Sequence, residues 1–226
     1  MDTTSLKSPP PRAAPHGKRE RTKIQNRQII LDAARQVFAE LGYGAATVRD
    51  IIRATPLASG TFYNYFKSKE EVYQAIRDEV ALAIRPRLHE ERMKAATLEE
   101  FITCTFRTFF EFVAGDGVDF RTIRHSADAT RVRMDTPEVI AGFEELRNDI
   151  ELAIAKGLFP PVNADYLMAA IVGVAFEVAE RMLQHEPHDP AAAAEFAAAL
   201  LIRGVRALPR AAEPGTGVGT SQISSP

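Results

Sequence analysis

The residues that invite a chemical reading are Ser59, Gly60, Thr61, Tyr63, Asn64 and Tyr65, crowded into one short stretch. Small residues at the start of a helix let its backbone come close to another surface. Hydroxyls and backbone N–H groups there suit phosphate oxygens. An asparagine amide can pair with an adenine edge, and an aromatic edge can touch a thymine methyl group. Lys69, four residues beyond Tyr65, is placed for a phosphate. The competing reading for the two tyrosines is core packing beside Phe62 and Phe66, and for Lys67 and Lys69 a solvated turn.

Around this stretch the charge is uneven. The chain has 226 residues and a formal net charge of −2, yet between Arg12 and Lys69 eleven basic residues face only four acidic ones. A basic block on an otherwise acidic chain suits a region that meets a polyanion, or else an ordinary solvated surface.

Catalytic and metal chemistry find little support. There is no glycine-rich phosphate loop, nucleophile elbow or HExxH motif, so neither an enzyme nor a cofactor is expected. His185 and His188 lack a third ligand nearby, so no metal site is expected. The single cysteine, Cys104, excludes an intrachain disulfide and reads as a buried small hydrophobe. The longest apolar run, Leu167 to Phe176, is too short to span a bilayer. With no secretory signal pattern, the expectation is a cytoplasmic protein with no membrane partner.

The elements that must hold these residues read as helices nearly throughout, with no convincing period-two run. Ile30, Ala33, Ala34, Val37, Phe38 and Leu41 recur at helical spacing, and Gly42 follows as a C-terminal signal. Thr47 with Asp50 forms a capping-box-like start, and Pro56 stops that helix. A third short helix runs from about Ser59 to Phe66. Ser68 caps a fourth, with Val72, Tyr73, Ile76, Val80, Ala83 and Ile84 on its apolar face, and Pro86 is expected to kink or end it. Thr97, Thr136-Pro137, Asn163 or Asp165, and Asp189-Pro190 open further helices, and a weak one is expected over roughly 118–133.

The stretches Thr47–Ala54 and Ser59–Val72, with Ile29–Tyr43 before them, resemble the signature of the TetR/AcrR repressor family. Gly-Thr-Phe-Tyr-Asn-Tyr-Phe-Lys-Ser-Lys, at residues 60–69, is its most specific part. The close match covers about a fifth of the chain. The resemblance implies an all-α protein of about nine helices: a helix-turn-helix DNA-binding domain at 21–68, and a helical effector-binding and dimerisation domain at 69–208. A basic, proline-rich disordered arm (1–20) and a disordered tail (209–226) flank them. It also implies that Thr47 contacts phosphate and Arg49 a base, that the partners are a DNA operator, a small-molecule effector and a second copy of the chain, and that the protein regulates transcription as a homodimeric repressor. Pro56 replaces the usual turn glycine, Ala58 the usual hydroxyl cap and Ile52 the usual alanine. These changes bear on the tilt of the recognition helix. Lys18, Arg19, Arg21 and Lys23 in the arm are a second DNA candidate, or else a solubilising tail.

In the second half, Phe101, Phe106, Phe109, Phe110 and Phe112 point to a pocket for an apolar or aromatic effector, with Arg121 and His125 available for an anionic head group. The alternatives are plain packing and a solvated face. Leu167–Met182 is apolar nearly all round, so one side of it needs a partner. Ile171, Val174, Val178, Met182, Phe196, Leu200 and Leu201 are the expected dimer interface. A non-DNA helical adaptor is the rival from another class.

Overall fold

The computed structural model describes residues 15–115 and 136–208. Eight helices lie within them and no strand: α1 (Pro15–Leu41), α2 (Val48–Arg53), α3 (Ser59–Phe62), α4 (Lys69–Lys94), α5 (Leu98–Gly115), α6 (Pro137–Ala155), α7 (Ala164–Leu183) and α8 (Pro190–Ala207). The expected helix over 118–133, the tail after Pro209 and residues 1–14 of the arm lie outside the described residues.

Local chemistry sets most boundaries. Gly42 and Gly157 both have φ of +75°, where a side chain would be strained, and each follows a helix end. Thr47 and Asp50 close a reciprocal capping box: Asp50 N–H donates to Thr47 Oγ1 at 3.3 Å and Thr47 N–H to Asp50 Oδ2 at 3.0 Å. Ser68 receives the Glu71 amide at 3.3 Å, and Glu71 in turn receives the Lys67 amide at 2.7 Å. Thr136, Asn163 and Asp189 each accept an amide from the first turn of the helix they open.

Two expectations differ from the structure. α1 begins at Pro15, so 15–20 belongs to a helix rather than to the arm. α4 runs unbroken through Pro86. Pro86 offers no N–H to the Leu82 carbonyl, but Leu82 is largely exposed, so water can satisfy that oxygen. The helix is held to α6 on both sides of Pro86, by Arg85–Glu145 just before it and Arg92–Asp149 beyond it. Leu41 and Ala83 face solvent, unlike the rest of their expected faces, while Ala75 and Arg77 are buried.

The described residues form two cores. The first gathers Ile30, Leu31, Ala34, Phe38, Ile51, Phe62, Val72 and Tyr73 from α1–α4. The second gathers α5–α8 around Phe101, Phe106, Phe110, Ile150, Ile171 and Ala197. α4 serves both: its first turns pack on α1, and its later turns on α5 and α6. α8 lies along α5.

Candidate nucleic-acid interface and effector cavity

The first core leaves one polar surface uncovered. Phe62 and Phe66 are buried as expected, and they fix the segment after Ala58 against α1 and α4. With those rings inward, Tyr63 is turned out, 60% exposed, its ring meeting Phe62 edge-on at 5.4 Å. Asn64, Ser59 and Gly60 are exposed beside it, and Thr61 is half-buried. Tyr65 is half-buried against the core, so packing claims part of it. α3 itself is a single turn, but the coil continues through hydrogen bonds from Asn64, Tyr65 and Phe66 back to Thr61 and Phe62. Gly60 has open space where a Cβ would stand, so nothing inside the protein requires glycine there.

α3 has no side-chain cap. Ala58 offers none, and Thr55 is used in the turn, donating to the Ile52 carbonyl at 2.9 Å and receiving the Leu57 amide at 3.3 Å. Ile52 fills the space between α2 and the first core. Thr47 and Arg49 are exposed on α2. The Thr47 hydroxyl donates to Asp50 Oδ2 at 2.6 Å, and this bond holds the Asp50 carboxyl below its ordinary value.

Lys69 is placed differently from the expected phosphate contact. Its ammonium donates to the carbonyls of Tyr43, Gly44 and Ala46 and lies over the Tyr43 ring. Those three bonds use all three of its donors. Beneath it, Phe38, Tyr43 and Tyr73 stack within 6.0 Å of one another, and burial pushes the Tyr73 hydroxyl up to about 12.

In the second half, α4, α5, α6 and α7 line a mainly apolar, partly open cavity of about 160 Å³. Of the expected pocket residues only Phe109 and Phe112 line it. Phe101, Phe106 and Phe110 are at most 1% exposed and fill the core behind, and Arg121 and His125 lie outside the described residues. The wall that was missed comes from Ile84 and Leu88 on α4, Phe143 on α6 and Phe176 on α7. Arg77, Arg85 and Arg92 of α4 also line it. Arginines recurring along an otherwise apolar helix face were the available signal. Cys104 is buried, its thiol donates to the Phe101 carbonyl and burial raises its pKa.

The expected dimer residues divide. Phe196 and Leu200 are 62% and 52% exposed on α8, and Val174, Val178 and Leu201 are half-buried. Ile171 and Met182 are buried in the protomer's own core, where the inner face of α7 packs, so they are not free to meet a partner. His185 and His188 bond backbone carbonyls, and among the described residues no group of side chains could hold a metal ion. No described helix is long and apolar enough to cross a membrane.

Comparison with known proteins points the same way. Residues 30–76 match the model for bacterial regulatory proteins of the tetR family. A fatty acid metabolism regulator protein of Bacillus subtilis (strain 168) is 34% identical over 87 residues, which is 38% of this chain and 45% of that protein. The match thus spans less than half the length of that relative. Among solved structures, the fatty acid degradation regulator FadR from Bacillus halodurans is 26% identical, with a TM-score of 0.69 over 80% of this chain and 96% of that one. FadR from Bacillus subtilis, in complex with stearoyl-CoA, is 25% identical, with a TM-score of 0.67 over 79% and 98%.

Proposed function

We propose that this chain, which belongs to the TetR family of bacterial regulatory proteins, is a homodimeric repressor that binds a near-palindromic DNA operator and is released from it by an acyl-chain effector. The family is one of regulators, not enzymes. The reading rests on one arrangement: an exposed Arg49, Ser59, Gly60, Tyr63 and Asn64 surface joined through α4 to an apolar cavity.

On this reading the segment from Ser59 enters the major groove. Tyr63 and Asn64 reach base edges, Arg49 reads a base from α2, and Thr47 approaches phosphate. Gly60, which the protein's own packing does not require, lets the backbone approach DNA closely. Lys69 supports the surface from behind by fixing the α1–α2 loop. Exposed Phe196 and Leu200 on α8 cover the equivalent face of a second copy. The two reading segments then reach successive major grooves, roughly 34–36 Å apart.

The fatty-acid effector class comes from the relatives, one of which is a stearoyl-CoA complex. A dry cavity of roughly 150 Å³ holds a benzene-sized molecule. A long acyl chain exceeds this volume, and on this reading seating it moves the helices around the cavity apart. α4 is one of them, and its first residue lies three positions past Phe66. An effector that binds the separated state better shifts the population away from the DNA-binding geometry.

Fluorescence anisotropy with DNA from around the protein's own gene, at two salt concentrations, tests the reading. Wild type should bind tightly and salt-sensitively. Arg49→Ala with Tyr63→Ala should weaken this by about tenfold or more, and stearoyl-CoA should release wild type. Binding no tighter than to random DNA, followed by failure of a random-sequence selection, would instead favour a helical adaptor.

A further inference from the structure

The polar contacts between α4 and α6 are of two kinds. Arg92 Nε lies 2.7 Å from Asp149 Oδ2, with side chains 3% and 5% exposed. His89 Nδ1 stands 3.1 Å from both oxygens of the same carboxylate. The Arg92–Asp149 pair is thus a buried anchor, with His89, 44% exposed, on its solvent side. Two turns earlier, Arg85 reaches Glu145 at 3.2 and 3.4 Å, with side chains 35% and 22% exposed. That pair is longer, looser and solvated, and both its members line the cavity.

We infer that the Arg85–Glu145 ion pair is the gate of the cavity, and that the effector carries an oxyanion head, carboxylate or phosphate, which opens the gate by taking Glu145's place on Arg85. The inference rests on the effector-responsive reading above and names the chemistry of that site.

The apolar side chains behind the gate, Ile84, Leu88, Phe109 and Phe143, suit a hydrocarbon tail. A tail seated among them leaves its head at the rim, where Arg85 is the partly exposed cation. A guanidinium fork fits carboxylate and phosphate alike. Because the existing pair is solvent-screened, exchanging one oxyanion for another costs little. The head and Glu145 then repel each other. Glu145 turns to solvent and α6 loses its outer hold on α4, while the Arg92–Asp149–His89 anchor keeps the far end in place. α4 can thus pivot about its C-terminal half, and its N-terminal end carries the DNA-reading segment with it. The differential affinity that a switch needs resides in one ion pair.

Calorimetric titration of the full chain with octanoate, octyl phosphate and octanol tests this, using wild type, Arg85→Met and Glu145→Gln checked for an intact thermal transition. At least one oxyanion probe should bind wild type about tenfold or more tighter than octanol, and which one does so distinguishes a carboxylate from a phosphate source. Arg85→Met should reduce that probe to the level of octanol. Glu145→Gln should tighten the oxyanion probe, leave octanol unchanged and weaken DNA binding without any probe. A purely structural ion pair would not yield tighter binding in Glu145→Gln. Equal affinity for all three probes, no binding of any, or no tightening in Glu145→Gln overturns the proposal. If wild type binds its DNA but ignores the head group, this inference alone fails. If it binds no DNA, the regulatory reading fails.

Discussion

Lys69 Nζ lies 2.8 Å from the Tyr43 carbonyl oxygen and 4.6 Å from the centre of the Tyr43 ring, so the first residue of α4 is tied to the loop that ends α1. Further bonds to Gly44 and Ala46, at 3.3 and 3.0 Å, complete the clamp. A methionine at 69 would keep the hydrophobic stem and strand three carbonyls. Charged hydrogen bonds of this kind contribute about 1.5–3 kcal/mol. Lys69→Met should therefore lower unfolding stability by about 2 kcal/mol in a denaturant titration. It should weaken DNA binding without changing the slope of log affinity against log salt. A slope shallower by about one unit per protomer would instead make Lys69 a phosphate ligand.

The capping box at the start of α2 gives a pH signature. The hydrogen bond from Thr47 is the largest cause of the lowered Asp50 pKa, so the charged carboxylate is the form the fold prefers. A carboxyl depressed in the folded state contributes stability above its unfolded pKa, about 3.9, and loses it as pH falls through the lower folded value. Thr47→Ala removes the cap, costing about 1 kcal/mol at pH 7. The difference from wild type should stay constant between about pH 5 and 7 and shrink below about pH 4. A difference that persisted undiminished in acid would show that Asp50 takes no part.

How far the sequence anticipates this molecule depends on how local each cause is. Gly42, Thr47 with Asp50, Ser68, Thr136-Pro137 and Asp189-Pro190 act within a single turn, so helix ends could be placed from neighbours alone. Pro86 misled because its local penalty is offset by ion pairs reaching 60 and 57 residues along the chain to Glu145 and Asp149. The cavity was harder still. Phe101, Phe106, Phe109, Phe110 and Phe112 share one helix, yet only Phe109 and Phe112 reach the cavity, because α8 and α7 cover the other rings. That distinction lies in packing angles between helices, which periodicity does not encode. The surface of Tyr63 and Asn64 was legible because the short spacing of Phe62 and Phe66 leaves them no room inside.

α1 carries Arg19, Arg21 and Lys23 on exposed turns, ahead of the region where it packs. Arg19 and Lys23 are four residues apart, so they share a face that leads to Arg27, which is itself paired with Glu79. A helix without an apolar stripe gains little from its own domain, and a polyanion would stabilise it. Replacing Arg19, Arg21 and Lys23 together by alanine should make the salt slope shallower by at least about 2 units in the dimer. Affinity should fall by a similar factor for operator and random DNA, since phosphate contacts carry no sequence information. An unchanged slope would leave these residues as a solubilising surface.

The outer face of α8 decides the assembly. Phe196 and Leu200 are four residues apart and therefore adjacent on one side of the helix, with Ala192 and Ala199 exposed beside them. Tyr166 is 78% exposed at the start of neighbouring α7. Exposed apolar groups grouped in this way mark a contact surface, and small residues between large ones allow another helix to approach closely. Ile171 and Met182 face the other way and stabilise the protomer itself. Substitutions on the two faces should therefore separate cleanly. Leu200→Arg should leave the helical signal and the thermal transition of the protomer in place, yield a monomer by analytical ultracentrifugation and weaken operator binding by about a hundredfold or more, because one reading segment is lost from the bound unit. Ile171→Ala should do the reverse, lowering stability by about 2–5 kcal/mol through the cavity it leaves, with little effect on self-association. A Leu200→Arg protein that remained dimeric would move the interface off α8.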